Sequence, residues 1–430
     1  MDTKSAGARE LLESMFRSAV GAAHPNNALP PHLPAPPSRG RLVILAAGKA
    51  AGSMAQVAEQ RYLEMPPERL AGLAVTRHGY GRPTQWIPVI EAGHPVPDKI
   101  GVSAAKRALA LADAVDADDL VLVLLSGGAS ANWIAPAPGL TLVEKQAVTR
   151  TLLKSGANIG EMNTVRKHLS RIKGGRLAKR AHPAKVTTLA ISDVPGDDPA
   201  VIGSGPTMPD PTTLAEAREI VNRYRLQLPD AVARALNDPA NETPKPGEDV
   251  FGGSDYRIVA RPADALRSAA ERAAAAGYEC VMLGDRLEGE ARDVAAEHAR
   301  LALEFRAQSR RAVILSGGEL TVTLRGNGRG GPNQEYALAL AIRLDDAPGI
   351  AALAADTDGT DGGGGRPDDP AGAFVDPTTV KRARRAGLDP AAFLADNDST
   401  GFFNGIGDLY RPGPTFTNVT DFRAIIVDSH

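Results

Sequence analysis

The chain is expected to be an α/β protein of two units, and three observations carry that expectation. Its 430 residues suffice for two or three domains with a large core, and 43% hydrophobic with 23% charged residues is a globular balance. Short apolar runs of strand length alternate with segments whose apolar residues recur at helical spacing, the rhythm of β-α-β-α folds. Two runs, Leu120–Leu125 and Ala312–Leu315, are apolar throughout, as parallel strands covered on both faces are, and both end in Leu-Ser-Gly-Gly.

Residues 6–20 place Leu11, Leu12, Met15, Phe16, Ala19 and Val20 on one helical face. The prolines from Pro25 to Pro37 then stop regular structure and deliver the chain to a first strand, Arg41–Ala47. Gly48-Lys49 follows, and a helix runs from Ala50 to about Tyr62. A Walker A loop needs Gly at 43 and Ser or Thr at 50, where this chain has Val43 and Ala50. Lys49 still stands at a strand's carboxyl end, where open α/β sheets hold ligands; its plainer role is a surface lysine in a turn. Strands are expected at Ala71–Val75 and Ile87–Ile90, a helix over 99–113, then the strand Leu120–Leu125, which ends in Ser126-Gly127-Gly128-Ala129-Ser130. Helices over 141–155 and 162–180 follow. The second carries Arg166, Lys167 and Lys173, charges that suit an ordinary solvated face. The strand Val186–Ile191 runs into Ser192-Asp193, with Gly203-Ser204-Gly205 beyond. An aspartate just past a buried strand serves as general base, metal ligand or turn cap, and a Gly-Ser-Gly turn receives an anion.

A helix over 212–224 and the Pro/Asp/Asn-rich 237–249 read as the exit from the first unit. Strands at Arg257–Ala260, Tyr278–Leu283, Ala312–Leu315, Ala351–Ala355 and Phe422–Val427, with helices over 264–276 and 287–306, continue the rhythm. Residues 400–404 and 413–419 are expected as polar loops that wall a cleft. The richest chemistry begins at Ser316-Gly317-Gly318. A loop with Gly326, Gly328, Gly330 and Gly331 leads to Pro332, after which Tyr336, Ala337, Leu340 and Ala341 recur at helical spacing, so the loop empties into a helix N-terminus. Glycines let N–H groups approach phosphate oxygens, and the helix end adds about half a positive charge. Downstream, Asp356, Asp358 and Asp361 stand in the run Asp356–Gly365. Clustered carboxylates repel unless a cation sits among them, which suits a hard divalent metal. Polyphosphate with such an ion is what the two features suggest together; singly they read as a tight turn and a solvated loop.

The formal net charge of −2 argues against a nucleic-acid partner. No apolar run approaches a membrane span, and Asp2, Glu10 and Glu13 sit where a signal peptide needs an apolar core, so the expectation is a cytoplasmic protein with no membrane partner. The single cysteine, Cys280, forms no internal disulfide and reads as a small core residue; the eight histidines show no paired zinc-ligand spacing.

Six segments in order resemble the glycerate 2-kinases of the class that carries a C-terminal MOFRL domain: AAGKA at 46–50, LSGGAS at 125–130, MNTVRKHLSRIKGG at 162–175, ISDVPGDDPAVIGSGPT at 191–207, LSGGELTVTLRGNGRGGPNQE at 315–335 and DTDGTDG at 356–362. They span nearly the whole chain and are specific together. The resemblance implies a Rossmann-like N-terminal domain with a mostly parallel sheet at 1–245, a C-terminal α/β domain at 246–430 whose MOFRL region covers about 310–425, and an interdomain cleft. It implies ATP and Mg²⁺ as cofactors, and D-glycerate as a substrate that accepts the γ-phosphoryl group at its 2-hydroxyl. Lys49, Asp193 and Arg329 become the catalytic candidates. Ser126, Gly127, Gly128, Ser130, Ser316, Gly317, Gly318, Gly328, Gly330, Gly331, Asn333 and Gln334 become the nucleotide-binding candidates. Arg166 and Lys167 are candidates for the substrate carboxylate, and Asp356, Asp358 and Asp361 for the metal. Pro332 stands where many relatives carry Arg, which leaves a cationic contact to Arg325 or Arg329. The partners expected are small molecules, with a homodimer as one assembly open to the chain.

Phosphoryl transfer asks the protein mainly to position and to neutralise charge. Lys49 is assigned the moving phosphoryl group and Asp193 the hydroxyl proton. Two other functions stand beside this one. A hydroxypyruvate reductase needs G-x-G-x-x-G after an early strand, where this chain has Ala46-Ala47-Gly48-Lys49. A non-catalytic protein binds nucleotide or hydroxy acid without turnover.

Overall fold

The computed structural model describes residues 3–362, 366 and 368–428, so Gly363–Gly365 of the acidic run lie outside the described residues. Residues 28–259 form one compact unit; residues 260–430 with 1–27 form another.

The first unit is built on β1 (Leu42–Ala47), β2 (Leu70–Arg77), β3 (Val89–Ala92), β4 (Leu120–Leu125), β5 (Lys185–Ile191) and β6 (Asp255–Ala260), in the order β3-β2-β1-β4-β5-β6. The pairs β2–β3, β1–β2, β1–β4 and β4–β5 are parallel. Every residue of β1 and β4 is buried, as the uninterrupted apolar runs require. Helix Lys99–Asp113 lays Ala104, Ala105, Ala108, Leu109 and Ala112 into the same core. The register Leu42↔Leu120 to Ala47↔Leu125 ends β1 and β4 at one level. The chain leaves the sheet from β1 toward β2 on one side, while β4 lies on the other. Such a reversal opens a crevice beyond the strand ends.

The helix expected over 162–180 is broken into Ile159–His168 and Arg176–Ala181. Gly174 and Gly175, at φ 58° and 77°, turn the chain between them. Their N–H groups donate to Ser204 O at 3.0 Å and Gly205 O at 2.8 Å. The broken segment is thereby tied to the Gly-Ser-Gly turn, a tertiary demand that local helical spacing does not contain.

The second unit carries β7 (Glu279–Leu287), β8 (Ala312–Gly318), β9 (Ile350–Asp356), β10 (Gly372–Val375), β11 (Leu409–Tyr410) and β12 (Asp421–Val427), ordered β11-β10-β9-β12-β8-β7. β7 and β8 pair parallel, whereas β12 is antiparallel to both β8 and β9. The helix Thr3–Ala23 belongs to this unit. Its expected apolar face is the reason: Leu12, Met15, Phe16 and Ala19 are buried, the helix packs on helix Pro262–Ala275, and Phe16 meets Tyr410 and Phe422 edge-on at 5.1 and 5.7 Å. Residues 400–404, expected as loop, lie in helix Ser399–Ile406, whose N-cap Asp398 accepts from Gly401 N at 3.1 Å. Cys280 is half-buried rather than core, with its Sγ 3.2 Å from Ala270 O. Among the described residues no helix is long and apolar enough to cross a membrane.

Candidate functional site

Beyond the ends of β1 and β4 two turns are stitched together. Lys49 N donates to Gly127 O at 2.7 Å, Ser126 N to Ala47 O at 3.0 Å and Ala50 N to Ser126 Oγ at 2.9 Å. Ser126 is fully buried and its hydroxyl accepts from that amide, so it builds the turn and presents nothing to a ligand. Gly128 is different. It sits at φ 84°, and a Cβ there would stand 2.8 Å from the His94 ring and 3.4 Å from Lys49 Cγ. The Gly128 backbone is therefore packed against the His94 imidazole and the Lys49 stem at the strand-order reversal, closer than a side chain there would allow.

At the end of β5, Val194 N donates to Ser192 Oγ at 3.3 Å, so Ser192 caps this turn; Asp193 beside it is half-buried. The Gly-Ser-Gly turn packs against the β4 turn and sets Ser204 Oγ 2.6 Å from Ser130 Oγ. The charges expected on a solvated helix face are buried instead. Lys167 Nζ lies 3.4 Å from Asp210 Oδ1, and Arg166 Nη1 donates to Asn163 Oδ1 at 3.3 Å. Lys173, expected on the same solvated face, is buried too, as is Lys145 nearby, to which the sequence assigned no role. Desolvation pushes the pKa values of both well down, with Arg166 adding to it.

In the second unit, the anion that the glycine-rich loop calls for is internal. Asn333 N donates to Asp361 Oδ1 at 3.0 Å and Gln334 N to Asp361 Oδ2 at 2.9 Å, while the two side-chain amides add bonds at 3.2 and 3.0 Å. Asp361 thus fills the N-terminus of helix Pro332–Leu344 where phosphate was expected. Asn333 and Gln334, expected to contact nucleotide, are buried around that carboxylate. The loop before them also faces inward. Arg325 N and Gly326 N donate to Asn397 Oδ1 at 2.7 and 3.0 Å, and Arg329 N to Asp398 Oδ1 at 3.1 Å. Gly328 and Gly331 are glycines because a Cβ would overlap Asp398 and Asp361. Ser316, Gly317 and Gly318 are buried as well, with Arg423 Nε 3.2 Å from Ser316 Oγ.

The three aspartates of the acidic run do not converge. Asp361 is committed to the helix, Asp358 Oδ1 accepts from Thr360 N at 2.8 Å, and Asp356 Oδ1 accepts from Asp358 N at 2.8 Å. Among the described residues no three His, Cys, Asp or Glu side chains could together hold a metal ion. A cavity of about 550 Å³ is lined by Arg329, Arg366 and Arg411 together with Asp361, Asp368 and Asp369. Arg366 pairs with Asp368 at 3.3 Å, and Arg411 donates to Asp368 O. The exposed Arg329 guanidinium makes no hydrogen bond or ion pair among the described residues, which leaves it available to an anion.

Burial, with Asp421 adding to it, pushes the Asp361 carboxyl up to about 7, from about 3.9 in an unfolded chain. With the folded value raised, its stabilisation is complete below the unfolded value and is lost as pH rises through the folded one. Thermal unfolding of wild type and Asp361→Asn between pH 8 and 5.5 should therefore diverge in favour of wild type on acidification. A pH-independent difference would show that Asp361 does not titrate in this range.

Residues 11–237 match a domain of unknown function (DUF4147), and residues 312–421 match the MOFRL family. A D-glycerate 2-kinase of Thermotoga maritima is 38% identical over 96% of this chain and 97% of its own length. An Agrobacterium vitis protein named for hydroxypyruvate reductase is 48% identical over 99% of this chain and 96% of that protein. The crystal structure of a glycerate kinase from Thermotoga maritima superposes with a TM-score of 0.85 at 36% identity, covering 98% of this chain and 100% of that one.

Proposed function

Because the chain belongs to the glycerate 2-kinase family whose members carry a MOFRL domain, we propose that it transfers the γ-phosphoryl group of ATP to the 2-hydroxyl of D-glycerate, giving 2-phosphoglycerate and ADP. The observation that carries this reading is Lys49 beside the bare Gly128 backbone at the β1/β4 reversal. In phosphoryl transfer the reacting group spreads negative charge over its equatorial oxygens, and a fixed ammonium offsets that charge without reorganising. Lys49 takes that role. Asp193, half-buried at the neighbouring strand end, accepts the proton of the attacking hydroxyl. The exposed Arg329 guanidinium of the second unit, in a cavity that three arginines and three aspartates line, is assigned a phosphate oxygen of the nucleotide.

The nucleotide brings Mg²⁺ on its own phosphates. Such an ion draws most of its ligands from phosphate and water and asks the protein for one or two carboxylates, a demand compatible with described residues that gather no set of three. Reduction of hydroxypyruvate, the reaction for which the Agrobacterium vitis relative is named, needs a dinucleotide fingerprint after β1. No register through Gly48 supplies the other two glycines: the chain has Val43, Leu45, Ala46, Ala50, Ala51 and Ser53 at the positions they would take.

The test is a coupled assay of purified protein with ATP, Mg²⁺ and D-glycerate, adding enolase but no phosphoglycerate mutase. Enolase accepts only the 2-phosphate, so signal establishes both reaction and regiochemistry. No signal, with NAD(P)H oxidised on hydroxypyruvate instead, would overturn the kinase reading.

A further inference from the structure

The first unit buries more positive charge than it meets with carboxylates. Lys145, Lys167 and Lys173 are 3%, 7% and 1% exposed, and Arg166 lies against them. Asp210 answers Lys167. Glu242 is engaged by Lys245 at 2.6 Å and His168 at 3.0 Å. Lys145 has a helix end for its partner: its Nζ donates to Arg166 O at 2.8 Å and Leu169 O at 3.0 Å, carbonyls at the negative end of helix Ile159–His168.

Lys173 has neither a carboxylate nor a helix end among the described residues. Its Nζ reaches Ser130 O at 2.8 Å and Ser204 Oγ at 3.5 Å, and Ser204 Oγ lies 2.6 Å from Ser130 Oγ. Burial and the neighbouring cations push its pKa well down. With the ammonium donating to Ser204 Oγ, one of the two directions that the 2.6 Å contact allows puts the Ser204 proton on Ser130 Oγ and turns the Ser130 proton outward. Ser130 is partly exposed beside Gly128, so in that direction the polarity of a buried charge is delivered to an accessible hydroxyl at the strand-order reversal.

We propose that Ser130 binds the carboxylate of the hydroxy-acid substrate and that Lys173, acting through Ser204, is the positioning residue that makes it an anion receptor. Lys167 and Arg166, the cations that the sequence singles out for this task, serve Asp210 and Asn163 instead. The assignment rests on the kinase reading above. A single donor with one charge behind it suits a monoanion, which separates this subsite from those for polyphosphate.

The experiment measures kcat and KM for D-glycerate and ATP in wild type, Ser130→Ala, Ser204→Ala, Lys173→Met and Lys173→Arg. The serine variants should raise KM for D-glycerate about tenfold, and Lys173→Met about a hundredfold, with KM for ATP within about twofold. Lys173→Arg should recover part of the loss. Should Lys173→Met fail to fold, the two serine variants decide. An active wild type whose serine variants keep KM for D-glycerate within twofold, or lose ATP affinity equally, sinks the subsite alone. A wild type that phosphorylates no short hydroxy acid sinks the kinase reading, and the subsite with it.

Discussion

Lys49→Ala is expected to lower kcat for D-glycerate phosphorylation by about a thousandfold while changing KM for either substrate less than about threefold. The size follows from removing one preorganised charge from a phosphoryl-transfer site, which costs about 3–4 kcal/mol of transition-state stabilisation. The split between kcat and KM follows because that charge acts mainly where negative charge develops. The turn should survive the change, because its anchors are main-chain atoms: Lys49 N donates to Gly127 O at 2.7 Å and Thr76 Oγ1 donates to Lys49 O at 3.2 Å. Alanine keeps both, and circular dichroism and thermal unfolding should match wild type. A variant with kcat within threefold of wild type would remove Lys49 from the chemistry.

Asp361→Ala is expected to do the opposite, damaging the fold first. The substitution leaves Asn333 N and Gln334 N buried with no acceptor, while Asn333 Nδ2 keeps Asp421 Oδ1 at 2.7 Å and Gln334 Nε2 keeps Asp361 O at 2.8 Å. At about 1–3 kcal/mol for each buried donor left unpaired, the loss is about 3 kcal/mol or more. Helix Pro332–Leu344 contributes seven residues to the second unit's core, so loosening its first turn weakens that unit as a whole. The check is amide hydrogen exchange across residues 332–344 in wild type and variant. Faster exchange there, with residues 28–259 unchanged, is the expected pattern; unchanged protection would mean that the helix N-terminus has another anion.

Much of the first unit is readable because its elements are local. The runs of β1 and β4 are apolar from end to end and that of β5 is buried beyond Lys185, and their ends locate Lys49, Ser126–Ser130 and Asp193 at the positions where a doubly wound sheet holds ligands. β10 and β11 escape notice because Gly372-Ala-Phe-Val375 and Leu409-Tyr410 are too short to show a period, and they become strands through pairing with β9 and with each other. The helix across 169–175 fails for a related reason: only contact with Ser204 and Gly205 shows what Gly174 and Gly175 are for.

What the sequence determines by itself is the kind of group each segment presents: cations at 49, 166, 167 and 173, carboxylates at 193, 356, 358 and 361, a donor-rich helix end at 332. Its periodicities set the α/β rhythm, and its ordered motifs set the family. What only the tertiary structure decides is which group answers which. The donors at helix Pro332–Leu344 receive Asp361, Lys167 receives Asp210, Lys145 receives a helix end, and Lys173 stays behind two serines. The reason is physical. A hydrogen bond or ion pair depends on distance and burial, and partners here lie from 21 to 43 residues apart in sequence. Composition and spacing say that a charge needs a partner; packing alone determines whether that partner is internal or a ligand.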